Sequence, residues 1–165
     1  MINITYQVEN LDSIQQFREN IQYLLTHHIE VGIQSSTRTR ATSWKRGGES
    51  MAAIAFENEY GNSAKRIPAR PFRAITIQRS RTHMTDVIND YLGYVVLGQM
   101  DAKDAMKIIG FEFQTQMARA ILSNIRPKNA PMTVALKKSD RTLIDTGQML
   151  NSIRSVIRRN TQRAL

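Results

Sequence analysis

The sequence predicts an α+β fold: a small antiparallel or mixed sheet packed by about four helices, with long basic loops between them. Three observations carry that expectation. Apolar residues alternate at period two in short stretches near the start, they recur at spacings of three and four over four longer stretches, and Gly or Pro marks the joins. The 165 residues suit a single domain, 1–165, and a 41% hydrophobic content is enough to bury a core.

Ile2, Ile4, Tyr6 and Val8 alternate with Asn3, Thr5 and Gln7, which predicts a half-buried strand over 2–8. Leu11, Ile14, Phe17, Ile21, Leu24 and Leu25 then mark one face of a helix over 11–27, with Asn10 or Asp12 as its cap. His27 and His28 would end that helix, where a positive charge suits the dipole. Ile29, Val31 and Ile33 restore period two, a second strand over 29–34 that shares a sheet with the first. The stretch SSTRTRATSWKRGG, 35–48, has no periodicity and ends in Gly-Gly; it reads as a flexible basic loop, mobile in the isolated subunit.

Residues 49–60 are rich in helix formers, with Met51, Ile54 and Ala55 on one stripe and Gly61-Asn62 as the stop. Pro68 and Pro71 forbid regular structure across 63–72. A long helix follows over 73–98, its face set by Met84, Val87, Ile88, Tyr91, Leu92 and Val95. Asp101 is placed to cap the next, over 101–125, with Ala105, Ile108, Ile109, Phe113, Met117, Ile121 and Leu122 as its stripe and Pro127 to close it. Residues 126–144 read as an extended loop. The tail reads two ways: Met149, Leu150, Ile153, Val156 and Ile157 fit a helix, while Ile153, Ser155 and Ile157 alternate as in a strand over 153–159. Residues 158–165 would form a C-terminal arm.

The net charge is +9 and unevenly placed. Segments 1–34 and 82–125 sum to −3 and −2, whereas 35–48, 63–81, 126–141 and 154–165 sum to +4, +6, +4 and +4. Such a balance points to a polyanionic partner, nucleic acid or an acidic protein surface. The absence of Cys excludes disulfide scaffolds, thiolate metal sites and cysteine nucleophiles. No charged n-region precedes an apolar h-region, and no stretch approaches the roughly 18–20 apolar residues of a membrane span. A soluble intracellular protein with no membrane partner is expected.

Leu143-Ile144-Asp145-Thr146-Gly147 has the form in which aspartic proteases present their catalytic carboxylate. Only 18 residues follow Gly147, too few for the barrel such an enzyme needs, and the preceding chain is largely helical. Asp145 or Thr146 is instead read as the cap of a short helix starting near Gln148. His27, His28 and His83 have no ligand partner at i+4, and Glu57 and Glu59 diverge on their helix. Neither GxGxxG nor GxxxxGK[ST] occurs. The expectation is no enzyme, no cofactor and no metal. In the basic loop, Arg38, Arg40, Lys45 and Arg46 surround Trp44, a set that can follow a nucleic-acid backbone and stack a base, or dock on a protein. Arg70, Arg73, Arg79 and Arg81 offer the same two uses within 63–81.

Two strings taken together resemble a known family. The first is Ile54-Ala55-Phe56-Glu57-Asn58-Glu59-Tyr60-Gly61, followed by Ile67-Pro68-Ala69-Arg70-Pro71-Phe72. The second is Leu143-Ile144-Asp145-Thr146-Gly147-Gln148-Met149-Leu150-Asn151-Ser152-Ile153. Their order is similar to that of the tail-completion, or virion-morphogenesis, proteins of tailed bacteriophages: "A-x-x-x-E-x-G", then "I-P-x-R-P-F", then "L-x-D-T-G-x-L-x-x-S-I". Val31-Gly32-Ile33 also fits, so the resemblance spans about 29–157. The family continues past its final Ser-Ile into a β-hairpin, where this sequence runs IRSVIRRNTQRAL, and the long basic insert at 35–48 is unusual for it.

The resemblance implies a non-enzymatic virion protein, made in the host cytoplasm, that completes the head-proximal end of the tail and joins it to the capsid neck. It implies a homo-oligomeric ring, expected as a hexamer, with neighbouring neck and tail-tube or terminator proteins as partners and DNA passing through the lumen. Arg66, Ile67, Pro68, Arg70, Pro71 and Phe72, with Asp145, Thr146 and Gly147, are the expected interface, and Arg38, Arg40, Trp44, Lys45 and Arg46 the basic docking loop. Pro68 and Pro71 fix the backbone in advance, so little entropy is lost when a neighbour packs on Phe72. The competing reading gives Phe72 and the prolines to the subunit's own core. A basic nucleic-acid-binding protein using 35–48 and 63–81 is the alternative function.

Overall fold

The computed structural model describes residues 11–33, 48 and 50–160. The predicted strand over 2–8, Asn10, and Arg38, Arg40, Trp44, Lys45 and Arg46 of the basic loop lie outside the described residues, as do 161–165. The elements are α1 Leu11–Thr26, β1 His27–Ile33, α2 Met51–Tyr60, α3 Phe72–Val96, α4 Ala102–Leu122, α5 Pro131–Lys137, α6 Gln148–Asn151 and β2 Ile153–Arg159. This is α+β architecture with a two-stranded sheet among the described residues.

The tail resolves to the strand reading. β2 runs antiparallel to β1, from His27 opposite Arg159 to Ile33 opposite Ile153. The arm expected from 158 is therefore still sheet through Arg159. Asn160 then ties the strand to the end of α1, donating from its backbone N–H to the Thr26 carbonyl (2.7 Å) and from Nδ2 to the Leu25 carbonyl (2.9 Å). His27 and His28 open β1 instead of closing α1. α1 stops at Thr26, whose hydroxyl donates to the Gln22 carbonyl at 2.7 Å, and the His27 ring stacks on Tyr23 with centroids 3.9 Å apart.

α4 crosses the sheet at Gly110. A Cβ there would lie 2.0 Å from Ser155 Oγ and 3.0 Å from Ile29 Cγ2, so only a glycine lets the helix come this close to both strands. The main core gathers Met51 and Ala55 of α2, Phe72 of α3, Met117 and Ile121 of α4, and Met149 and Ile153 from the tail. A smaller cluster of Val95, Ala102 and Ala105 packs against Tyr23 and Leu24 of α1. Within α3 the buried hydroxyls of Thr76 and Ser80 donate to the carbonyls of Phe72 and Thr76, which satisfies them inside the apolar layer.

Four further expectations are corrected. The loop over 126–144 contains α5, because Pro131 takes the first helical turn, where its missing N–H costs nothing. Neither Asp145 nor Thr146 caps α6: Gly147 occupies the cap with φ +75° and no side-chain bond, and both side chains are exposed. Asp101 stands at the α4 cap but does not cap it through its side chain; Asn20 of α1 accepts from the Ala102 N–H at 2.9 Å, and Asp101 Oδ1 accepts from Gln16 Nε2 at 3.2 Å. On α4 the stripe is narrower than predicted, for Ile108 and Leu122 are exposed.

Candidate functional site

The first motif is built around the end of α2. Glu59 is only 7% exposed, and its carboxylate accepts from the backbone N–H groups of Arg73 (2.8 Å) and Ala74 (3.3 Å). A carboxylate from one helix thus supplies the cap of the next, where both the orphan N–H groups and the dipole favour a negative charge. The Arg73 guanidinium donates to Tyr60 Oη at 2.6 Å and covers that ring at 5.8 Å. Gly61, at φ +80°, then turns the chain; a Cβ would sit 3.0 Å from the Ala69 nitrogen and 3.2 Å from the Ile67 carbonyl.

Between Gly61 and Arg70 the chain forms a closed clip. Asn62 and Ile67 exchange two backbone hydrogen bonds, 2.8 and 2.9 Å, and Arg66 at the turn has φ +53°. The Arg70 N–H donates to the Asn58 carbonyl at 2.6 Å, closing the clip on α2. Its side chain is 6% exposed and reaches across to a second segment: Nε donates to the Pro127 carbonyl (2.8 Å), and NH2 to Asn129 Oδ1 (3.2 Å) and the Lys128 carbonyl (3.4 Å). Burial lowers the Arg70 pKa from its ordinary value.

The second motif is anchored in the same way. Thr142 is fully buried; its hydroxyl donates to the Ile125 carbonyl at 2.9 Å, and its N–H to Asn124 Oδ1 at 2.7 Å. Leu143 and Ile144 pack half-buried against the main core, and Ser152 Oγ donates to the Gln148 carbonyl at 2.6 Å. Asn129 Nδ2 donates to the Arg141 carbonyl at 3.0 Å, joining the base of α5 to this segment.

These pieces enclose an open groove of about 870 Å³ between α2, the clip, α5 and the entry to α6. Of the residues singled out from sequence, Arg66, Ile67, Pro68, Arg70, Asp145 and Thr146 all line it. Phe72 does not: it is 6% exposed and belongs to the main core, the competing reading of the motif. Pro71 precedes α3 and Gly147 caps α6, both outside the groove lining. Sequence reasoning missed Met51 and Ile54 from α2, and Lys128 and Lys137 from the far wall. The signal for the lysines was the +4 charge of 126–141; what it lacked was the partner across the groove.

The basic stretch 63–81 does not form one surface. Arg70 is interior, Arg73 lies on Tyr60, and Arg79 donates to Ser123 Oγ of α4's end at 3.1 Å. Arg79 and Arg81 point roughly 200° apart on α3. Elsewhere, His28 bonds to Asn160 Oδ1 (2.7 Å) and Glu30 Oε1 (3.3 Å), which raises its pKa; Arg158 and His28 lower that of Glu30. Among the described residues no cluster of three or more His, Cys, Asp or Glu could hold a metal ion, and no helix is long and apolar enough to cross a membrane. Comparison with protein-family models, with curated proteins and with solved structures finds no match in any of the three.

Proposed function

We propose that this chain is a structural, non-enzymatic protein of a tailed-phage virion, completing the head-proximal end of the tail and joining it to the capsid neck as a homo-oligomeric ring. It would be made in the host cytoplasm and end in the virion, with neck and tail-tube or terminator proteins as its neighbours.

One observation carries the reading. The two sequence strings that resemble the tail-completion family lie far apart in the chain, yet residues of both that reach the surface, Ile67 and Pro68 from one and Asp145 and Thr146 from the other, line one groove. Interior packing does not require exposed side chains of distant segments to share a surface. A docking site does.

Large exposed apolar side chains add support. Phe56 on α2, Leu97 after α3, Phe111 on α4 and Met132 on α5 are 65%, 70%, 65% and 74% exposed. Apolar surface on several elements suits a subunit that meets more than one neighbour, and a ring needs two different patches per copy.

The test is mass and shape in solution, by light scattering and negative-stain microscopy at low and moderate salt, alone and with added tail tubes. Rings that persist at moderate salt are expected, since apolar packing is little screened. A chain that stays monomeric even on tail tubes, and binds DNA with a steep log-linear loss of affinity in salt, overturns the reading in favour of nucleic-acid binding.

A further inference from the structure

The groove between the clip and α5 has a floor and a rim of different chemistry. Met51, Ile54, Ile67, Leu143 and Met149 make the floor aliphatic. Arg66 and Lys128 stand at its rim as exposed cations, with the exposed Asp145 carboxylate also on the lining; Lys65 is paired with Glu57 at 2.6 Å, and Lys137 donates to the Arg141 carbonyl at 2.7 Å. A shallow depression formed by Arg126, Pro127 and Lys128 continues the positive charge at one end.

From this we infer that the groove binds an extended acidic peptide segment whose alternate side chains are aliphatic, contributed by a neighbouring protein. In an extended chain successive side chains face opposite ways, so one row can lie on the aliphatic floor while the acidic row meets the cations. Nucleic acid fits less well. Among the described residues no aromatic side chain lines the groove for a base to stack on. Both walls are held before any ligand arrives. The Asn62–Ile67 bridge fixes the clip, and buried Arg70 fastens it to Pro127, Lys128 and Asn129, so little ordering entropy opposes binding. The assembly reading supplies only the source of the segment; the chemistry of the groove stands apart from it.

The experiment uses the full chain and fluorescence anisotropy with a fluorescein-labelled peptide of alternating Glu and Leu. A Lys/Leu peptide of equal length and an oligothymidylate are the comparisons. The Glu/Leu peptide should bind at least about tenfold tighter than either, and Arg66→Glu with Lys128→Glu should cost about tenfold or more while leaving thermal unfolding unchanged. Both side chains are exposed, so the double variant should keep the fold. Equal binding of the two peptides, tighter binding of the oligonucleotide, or no loss in the double variant overturns the inference. Light scattering on the same samples separates the two conclusions. Rings without peptide binding leave the assembly reading and remove this one; peptide binding by a chain that stays monomeric even on added tail tubes keeps this one and counts against the assembly reading.

Discussion

Glu59 illustrates how one side chain can decide where an element begins. Its carboxylate is buried, yet it is satisfied by two N–H groups at the start of α3, with the Arg73 guanidinium 3.8 Å away. Glu59→Ala leaves those N–H groups orphaned beneath the α2–α3 junction and is expected to cost about 1–3 kcal/mol in urea unfolding. Glu59→Gln, which keeps one acceptor oxygen, should cost less; equal losses for the two would mean that volume and not the cap matters. His28 and Glu30 give a second residue-level prediction. The His28 imidazolium gains Asn160 and Glu30, so its pKa stands above the ordinary value of about 6.5. Its contribution is complete below that value and fades as pH rises through the raised one. Glu30 is depressed by Arg158 and His28, so its contribution is present above the ordinary glutamate range and fades as pH falls through the lowered value. A proton NMR titration should show the His28 midpoint fall in Glu30→Gln, and an unmoved midpoint would mean that the pair does not form in solution.

Among the elements, α4 is the one on which the others are hung, and Gly110 is where it meets the sheet. Gly110→Ala drives a methyl into Ser155 Oγ and against Ile29 Cγ2, and an overpacked contact of this kind is expected to cost about 1–3 kcal/mol. Ser155→Gly in the same chain removes the opposing atoms, so a double-mutant cycle should recover much of the loss; additive losses would place the strain elsewhere. The long helices were readable in the sequence because 3.6-residue periodicity survives over many turns, as with Met117 and Ile121 on α4. Their caps were not, because they come from distant chain: Asn20 of α1 for α4, and Glu59 of α2 for α3. α5 was missed because Pro131 interrupts a helix and also starts one, and sequence alone does not distinguish the two. The tail, ambiguous by pattern, was settled by β1, whose seven residues needed a partner strand.

Across the whole molecule, the candidate site was half readable for a related reason. Arg66, Ile67, Pro68, Asp145 and Thr146 were placed at the surface where the groove lies. Arg70 and Phe72, drawn from the same string, turned inward. Phe72 is apolar and fills the core, while the inward turn of Arg70 depends on carbonyls more than fifty residues away that no local pattern announces. That makes Arg70 the fastening between the two halves of the groove. Its fork serves three acceptors on one segment, an arrangement that a lysine ammonium on a flexible stem cannot reproduce. Arg70→Ala should therefore cost about 3 kcal/mol in unfolding free energy, because the carbonyls of Pro127 and Lys128 lose a charged donor. Arg70→Lys should restore less than half of it. The loss should also be local: amide exchange should accelerate in the clip and in 127–130, while α4 and the sheet, fastened through Gly110, keep their relative protection. Uniform acceleration across the chain would make Arg70 an ordinary core residue and separate it from the groove.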